Sequence, residues 1–230
     1  HENSQTLEHI REFSAGNVAL MRLSGQPDGV HVEAQGDVGE SDIVHSVQRI
    51  LQIDLPLQEF HGYCRMRPEL APIADARQGR MLRCPTLFED VIKVIATANT
   101  TWTQTIAMIS RLVEHFGAPL PLDPSRRAFP TPECIASAPR EEFDAKARMG
   151  YRNAYAHGIA ASIASGELNL EAWQTEDLSA DELRKRLLSL PGIGPYGAAC
   201  LMLYLGKPEH VNVDSWARTL LSKELGKPVT

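Results

Sequence analysis

The chain has 230 residues, 43% of them hydrophobic, enough for a real core in one or two domains. A formal charge of -6 argues against holding a polyanion by bulk electrostatics, so any such contact must be local. No run approaches the ~18 apolar residues of a membrane span, and His1 to Phe13 lacks the basic-then-apolar order of a signal peptide; a soluble cytoplasmic protein without membrane contact is expected.

Two short strand patterns, Val18 to Leu23 and Val30 to Ala34, flank Gln26-Pro27-Asp28-Gly29 and predict a small antiparallel sheet. From Ser41, a plausible cap, the period becomes helical, with Ile43, Val44, Val47, Ile50 and Leu51 on one face; shorter helical segments are expected within 57–76. Near Pro85 a helical region begins. Thr86-Leu87-Phe88-Glu89 reads as a capping box, and Phe88, Val91, Ile92 and Ile95 form an apolar face. Asn99-Thr100-Thr101 interrupts it before a second helix carrying Ile106, Ile109, Leu112, Val113 and Phe116 to Gly117. Prolines 119, 121, 124, 130 and 132 mark a long connection, and Thr131-Pro132-Glu133 restarts a helix. Cys64, Cys84, Cys134 and Cys200 have neither zinc-site spacing nor a disulfide framework and read as reduced thiols.

The rest of the chain is organised around Leu188 to Asp214. Ser179-Ala180-Asp181-Glu182 is a capping box followed by Leu183, Leu187, Leu188 and Leu190 at helical spacing, and Pro191 stops that helix. Pro195 suits a first helical position, and Ala198, Ala199, Leu201, Met202 and Leu205 carry an apolar face to Gly206. Between them Gly192-Ile193-Gly194 makes a helix-hairpin-helix turn, where a new helix N-terminus meets a backbone without Cβ atoms. The anion fitting such a place is a phosphate. Gly-x-Gly alone is equally a tight corner with no ligand. Asp214 stands just before another helical run, Trp216 to Leu221, a position where aspartate is commonly an N-cap.

Hairpin and aspartate together, LPGIGPYGAAC followed by VNVD, resemble the HhH-GPD superfamily of base-excision DNA glycosylases. The resemblance implies that the backbone at Gly192, Ile193, Gly194, Tyr196 and Gly197 grips DNA and that Asp214 promotes cleavage of the N-glycosidic bond. It also implies an alkali cation, K+ or Na+, on the carbonyls of Leu188, Leu190 and Ile193. Two further stretches are similar to the 8-oxoguanine branch: Leu87 to Asn99, and Met149-Gly150-Tyr151-Arg152-Asn153-Ala154-Tyr155. By that likeness Asn99 enters the gap left by an extruded base, Tyr151 is the wedge beside the lesion, and Arg152 faces the orphaned partner base. On local chemistry alone, the default for Asn99 is a cap on the helix that follows, and core packing is the alternative for Tyr151 and Tyr155, four apart. The likeness runs in family order over residues 87–216; the first eighty residues match only in architecture.

The departures are specific. Tyr196 stands where strand-cleaving members have a nucleophilic lysine, which implies hydrolysis by water without β-lyase chemistry. Gln104 replaces an arginine for the opposite base, and Trp216 replaces a histidine. Cys200 matches a cysteine of the 8-oxoguanine pocket, so Cys200 and Trp216 are the base-pocket candidates. No cysteine follows Cys200, so the iron-sulfur loop of some relatives is not expected. Members of the family continue through more helix than residues 215–230 supply, so part of the pocket wall is expected beyond this sequence. The expectation is therefore a mostly α, α+β protein: an N-terminal sheet domain with accompanying helices over 1–80, then a helical glycosylase domain over 81–230. Its expected activity is monofunctional removal of damaged purines, alkylated bases such as 3-methyladenine ahead of 8-oxoguanine, from double-stranded DNA by a nucleoid-associated monomer. The rival reading is a non-catalytic binder of damaged DNA.

Overall fold

Strand β2 (Asn17–Gln26) is apolar on both faces, and the N-terminal third of the protein is arranged to cover both. A computed structural model of the protein describes residues 6–14, 16–210 and 215–226. In it β2 lies between β1 (Thr6–Ser14) and β3 (Gly29–Gln35) in an antiparallel sheet, with Gln26 paired to Gly29 so that Pro27 and Asp28 form the turn. Ala19, Met21 and Leu23 face Ile43, Val47 and Ile50 of α1 (Glu40–Leu51). Val18 and Leu20, on the opposite face, pack on Leu120 and Ala128 beside a small hairpin, β4 (Pro119–Leu120) and β5 (Asp123–Arg127). Neither β1 nor this hairpin was expected. β1 is an edge strand with no fully buried residue, so its charged side chains mask the alternation; β4 and β5 sit among the prolines that read as a connection.

Helix α1 starts one residue before the expected cap: Gly39 is the N-cap, with no side-chain bond, and Ser41 lies inside the first turn. Helices α2 (Gln58–Arg65) and α3 (Ala71–Asp75) occupy the segment 57–76 as expected. The main core is then built around α4 (Leu87–Thr97), whose Leu87, Val91, Ile92 and Ile95 are almost wholly buried against the helices that follow. These are α5 (Trp102–Phe116), α6 (Pro132–Ser137), α7 (Arg140–Ala147), α8 (Arg152–Ala164), α9 (Ala180–Ser189) and α10 (Pro195–Tyr204), with a 3₁₀ turn at Glu171–Gln174 and α11 (Ser215–Leu225) last. α11 is longer than the Trp216 to Leu221 run anticipated.

A helix this buried must satisfy its charges. Asp90 accepts from Arg49 of α1 at 2.9 Å and from the Cys84 N–H at 2.9 Å, while Arg49 also donates to the Cys84 carbonyl and to Gln174 at 2.6 Å. Glu89 pairs with Lys93 at 2.6 Å. That pairing corrects the expected capping box: the Thr86 hydroxyl does accept from Glu89 N at 3.2 Å, but the Glu89 carboxylate is engaged by Lys93, so only half of the box forms. At Thr101 a full box forms, closed by Gln104.

Candidate functional site

The hairpin forms where the sequence places it. α9 opens with the reciprocal Ser179–Glu182 capping box and ends at Leu190, whose N–H donates to the Leu187 carbonyl. Gly192 then takes φ +84, and a Cβ there would lie 2.5 Å from Cδ2 of the Tyr155 ring, so both conformation and space require glycine. Buried Ile193 donates its N–H back to the Leu190 carbonyl at 3.1 Å. Gly194 is the N-cap of α10, with Pro195 after it and no side-chain cap; nothing lies within 4 Å of where its Cβ would stand. The N-terminus of α10 is therefore sterically open at Gly194. Gly197 has a different reason to be glycine: a Cβ would sit 3.0 Å from Val94, so it permits the close crossing of α10 on α4.

Opposite the hairpin stand the two wedge candidates. Asn99 adopts φ 49, a left-handed conformation that asparagine tolerates better than most residues, and is exposed. Tyr151, the N-cap of α8, is 55% exposed, with its ring edge-on to Tyr155 at 5.9 Å. Arg152 is only 8% exposed and donates to the carbonyls of Ala98, Asn99 and Met149, with its guanidinium 4.5 Å from the Tyr151 ring centroid. The resemblance had it facing an orphaned base. Here the guanidinium is held by the backbone that carries Asn99 and by the Tyr151 ring, on the wall of the cleft that the hairpin also lines.

Hairpin and wedge line one cleft of about 900 Å³. Among the described residues that line it there is no carboxylate, and its charged side chains are Arg152 and Arg218, the latter from α11. In a chain of net charge -6 this is the local relief that a polyanion needs. Arg186 of α9, by contrast, is paired to Glu176 at 2.6 Å. Asp214 lies outside the described residues, immediately before α11 in sequence.

A second cavity of about 490 Å³ adjoins the cleft, with Val94, Thr97 and Tyr196 lining both. Cys200 and Tyr204 of α10 line it on one side, Trp102 and Ile106 of α5 on another. Burial pushes the Tyr204 phenol up to about 12, so it is a neutral donor, and burial likewise keeps the Cys84 thiol protonated. Trp216, the other base-pocket candidate, lines neither cavity and is 70% exposed. Sequence reasoning missed Lys93, Cys84 and Tyr204. The one available signal was Glu89 at i−4 to Lys93, which reads equally well as an ordinary surface pair.

No family model matches the chain. It is 22% identical to a probable N-glycosylase/DNA lyase of Methanothermobacter thermautotrophicus, covering 92% of this chain and 76% of that protein. It is also 22% identical to the N-glycosylase/DNA lyase of Saccharomyces cerevisiae over 81% of this chain, spanning about half (53%) of that relative. Apo 8-oxoguanine glycosylase/lyase of Clostridium acetobutylicum superposes with a TM-score of 0.73 at 22% identity, over 96% of this chain and 79% of that one. The 3-methyladenine DNA glycosylase of Archaeoglobus fulgidus superposes with a TM-score of 0.74 at 19% identity, over 99% and 79%. The chain has the fold of the HhH-GPD DNA glycosylases. The helical region carries the hairpin of that fold, and the N-terminal sheet its accessory layer.

These relatives overturn one expectation. A glycosylase without lyase activity was inferred from Tyr196, yet the curated relatives are N-glycosylase/DNA lyases and the Clostridium neighbour is a glycosylase/lyase. The physical reason is that one motif position does not settle strand cleavage in this fold, since an amine reaching the sugar from another point supplies the same chemistry.

Proposed function

We propose that this protein is a DNA glycosylase of base-excision repair that rotates a damaged purine out of duplex DNA and releases it. The observation that carries the reading is the junction at Tyr196: an open cleft bearing the hairpin and an exposed tyrosine adjoins a cavity suited to a small planar group. Both volumes fall in the range of about 300–1,000 Å³ typical of ligand sites. DNA lies along the cleft with a phosphate at Gly194 and the α10 N-terminus. Extrusion costs a few kcal/mol, and Tyr151 with Asn99 fills the vacated stack. As the glycosidic bond breaks, positive charge develops on the sugar, and the carboxylate of Asp214 stabilises it and orients water.

The named neighbours act on 8-oxoguanine and on 3-methyladenine, both damaged purines, which supports that substrate class. An alkali cation on the carbonyls of Leu188, Leu190 and Ile193 belongs to the same proposal; the Leu190 carbonyl accepts from Ile193 and has a second lone pair to offer. Among the described residues no helix is long and apolar enough to cross a membrane. The test is base release from a panel of duplexes, each with one defined lesion, in K+ and again in Li+. Release of at least one damaged purine, weakened in Li+, is expected. Binding to every duplex with no release from any would leave a damage-binding protein instead.

A further inference from the structure

Lys93 lines the second cavity, and neither the hairpin nor the wedge explains it. It stands on α4 one turn after Glu89, its side chain 38% exposed, with Nζ 2.6 Å from Oε1 of Glu89 and against the Cys84 thiol. Burial, the largest influence, works to lower its pKa, but Glu89 and Cys84 together outweigh it and hold the amine protonated. An ammonium has three donors; Glu89 takes one and the Cys84 sulfur accepts another, which leaves one for an occupant. The other charge on the cavity wall is Asp90, which is 2% exposed and has both carboxylate oxygens engaged, by Cys84 N–H and by Arg49. Glu89 lies 4% exposed on the far side of Lys93, lining a separate crevice near Phe129. What the cavity presents to an occupant is thus a cation.

We infer that Lys93 is a specificity-determining residue, donating to a carbonyl oxygen of a neutral oxidised purine and repelling a purine that carries positive charge. This rests on the glycosylase reading and orders its substrates: a lesion such as 8-oxoguanine, neutral and rich in carbonyl acceptors, precedes cationic alkylpurines such as 7-methylguanine. It reverses the order suggested by Tyr196, because a charge on the cavity wall acts on the bound base directly, whereas the residue type at 196 bears on how the sugar is attacked.

Single-turnover base release is measured for 8-oxoguanine and 7-methylguanine in otherwise identical duplexes, with wild type, Lys93→Met and Lys93→Arg. Lys93→Met is expected to lower release of 8-oxoguanine roughly tenfold to a hundredfold, the scale of a hydrogen bond from a charged donor, while release of 7-methylguanine holds or rises. Lys93→Arg keeps the wild-type order. Because Lys93→Met leaves buried Glu89 unpaired, Glu89→Gln with Lys93→Met is the companion variant if the single one fails to fold. An equal fall for both lesions, or no fall, overturns the inference while the glycosylase reading stands. A wild type that releases neither base overturns the inference, and release of any other damaged purine from the lesion panel decides the glycosylase reading separately.

Discussion

Tyr151 keeps more than half of its surface in solvent although Tyr155, one turn along α8, is packed against Gly192. An exposed aromatic ring braced edge-on by a second ring and stacked on a guanidinium is rigid without being buried, which suits a group that must enter a base stack. Tyr151→Ala is expected to weaken binding to a lesion duplex by about 1–3 kcal/mol and to leave binding to the same lesion in a single strand much less affected, since only the duplex has a gap to fill. Equal losses in the two titrations would make Tyr151 a packing residue. Neither the exposure of Tyr151 nor the burial of Arg152 was legible in the sequence. Both belong to one short segment, and which of two neighbours points outward depends on α8 meeting the end of α4, a contact between residues 53 and 54 positions apart.

At the scale of elements, the hairpin was readable almost to the residue, because proline, glycine and capping boxes are local signals that tertiary contacts did not override. Its glycines looked alike in sequence but differ in the structure. Gly192 combines positive φ with contact to Tyr155, whereas Gly194 has φ -93 and open space. Gly192→Ala is therefore expected to cost stability, roughly 1–3 kcal/mol from the backbone alone with displacement of the ring added. Gly194→Ala costs at most about 1 kcal/mol as a poorer N-cap, yet places a methyl at the proposed phosphate position and weakens DNA binding. Thermal melts and duplex titrations on the pair check this. A Gly194 variant that binds like wild type would remove the phosphate from that turn.

Among the described residues three apolar cores hold the molecule together, and the one around Val18, Leu20, Leu120 and Ala128 joins regions on either side of residue 80. The sequence displayed the sheet and the helices but not this join, since its contacts are a hundred residues apart in the chain. His9 of β1 lies at the same junction, its Nε2 buried without a hydrogen-bond partner and 4.0 Å from Glu89. Burial lowers its pKa below the usual 6.5 despite the attraction of Glu89. The folded protein thus resists a proton that the unfolded chain accepts, so the stability tied to a neutral His9 is present above pH 6.5 and is lost as pH falls through the depressed value. Melts across this range are expected to fall less steeply for His9→Gln than for wild type; identical slopes would show that His9 is not responsible.

The central claim is that the cleft serves base release driven by the carboxylate at position 214. Its most direct test is a paired measurement on wild type and Asp214→Asn: equilibrium binding to a lesion duplex, and single-turnover release of the damaged base from it. Asparagine still caps a helix and removes only a charge needed in the transition state. Binding within a few fold of wild type, with release reduced at least ~10²-fold, is the predicted result. Release by the Asp214→Asn protein at the wild-type rate would contradict the account.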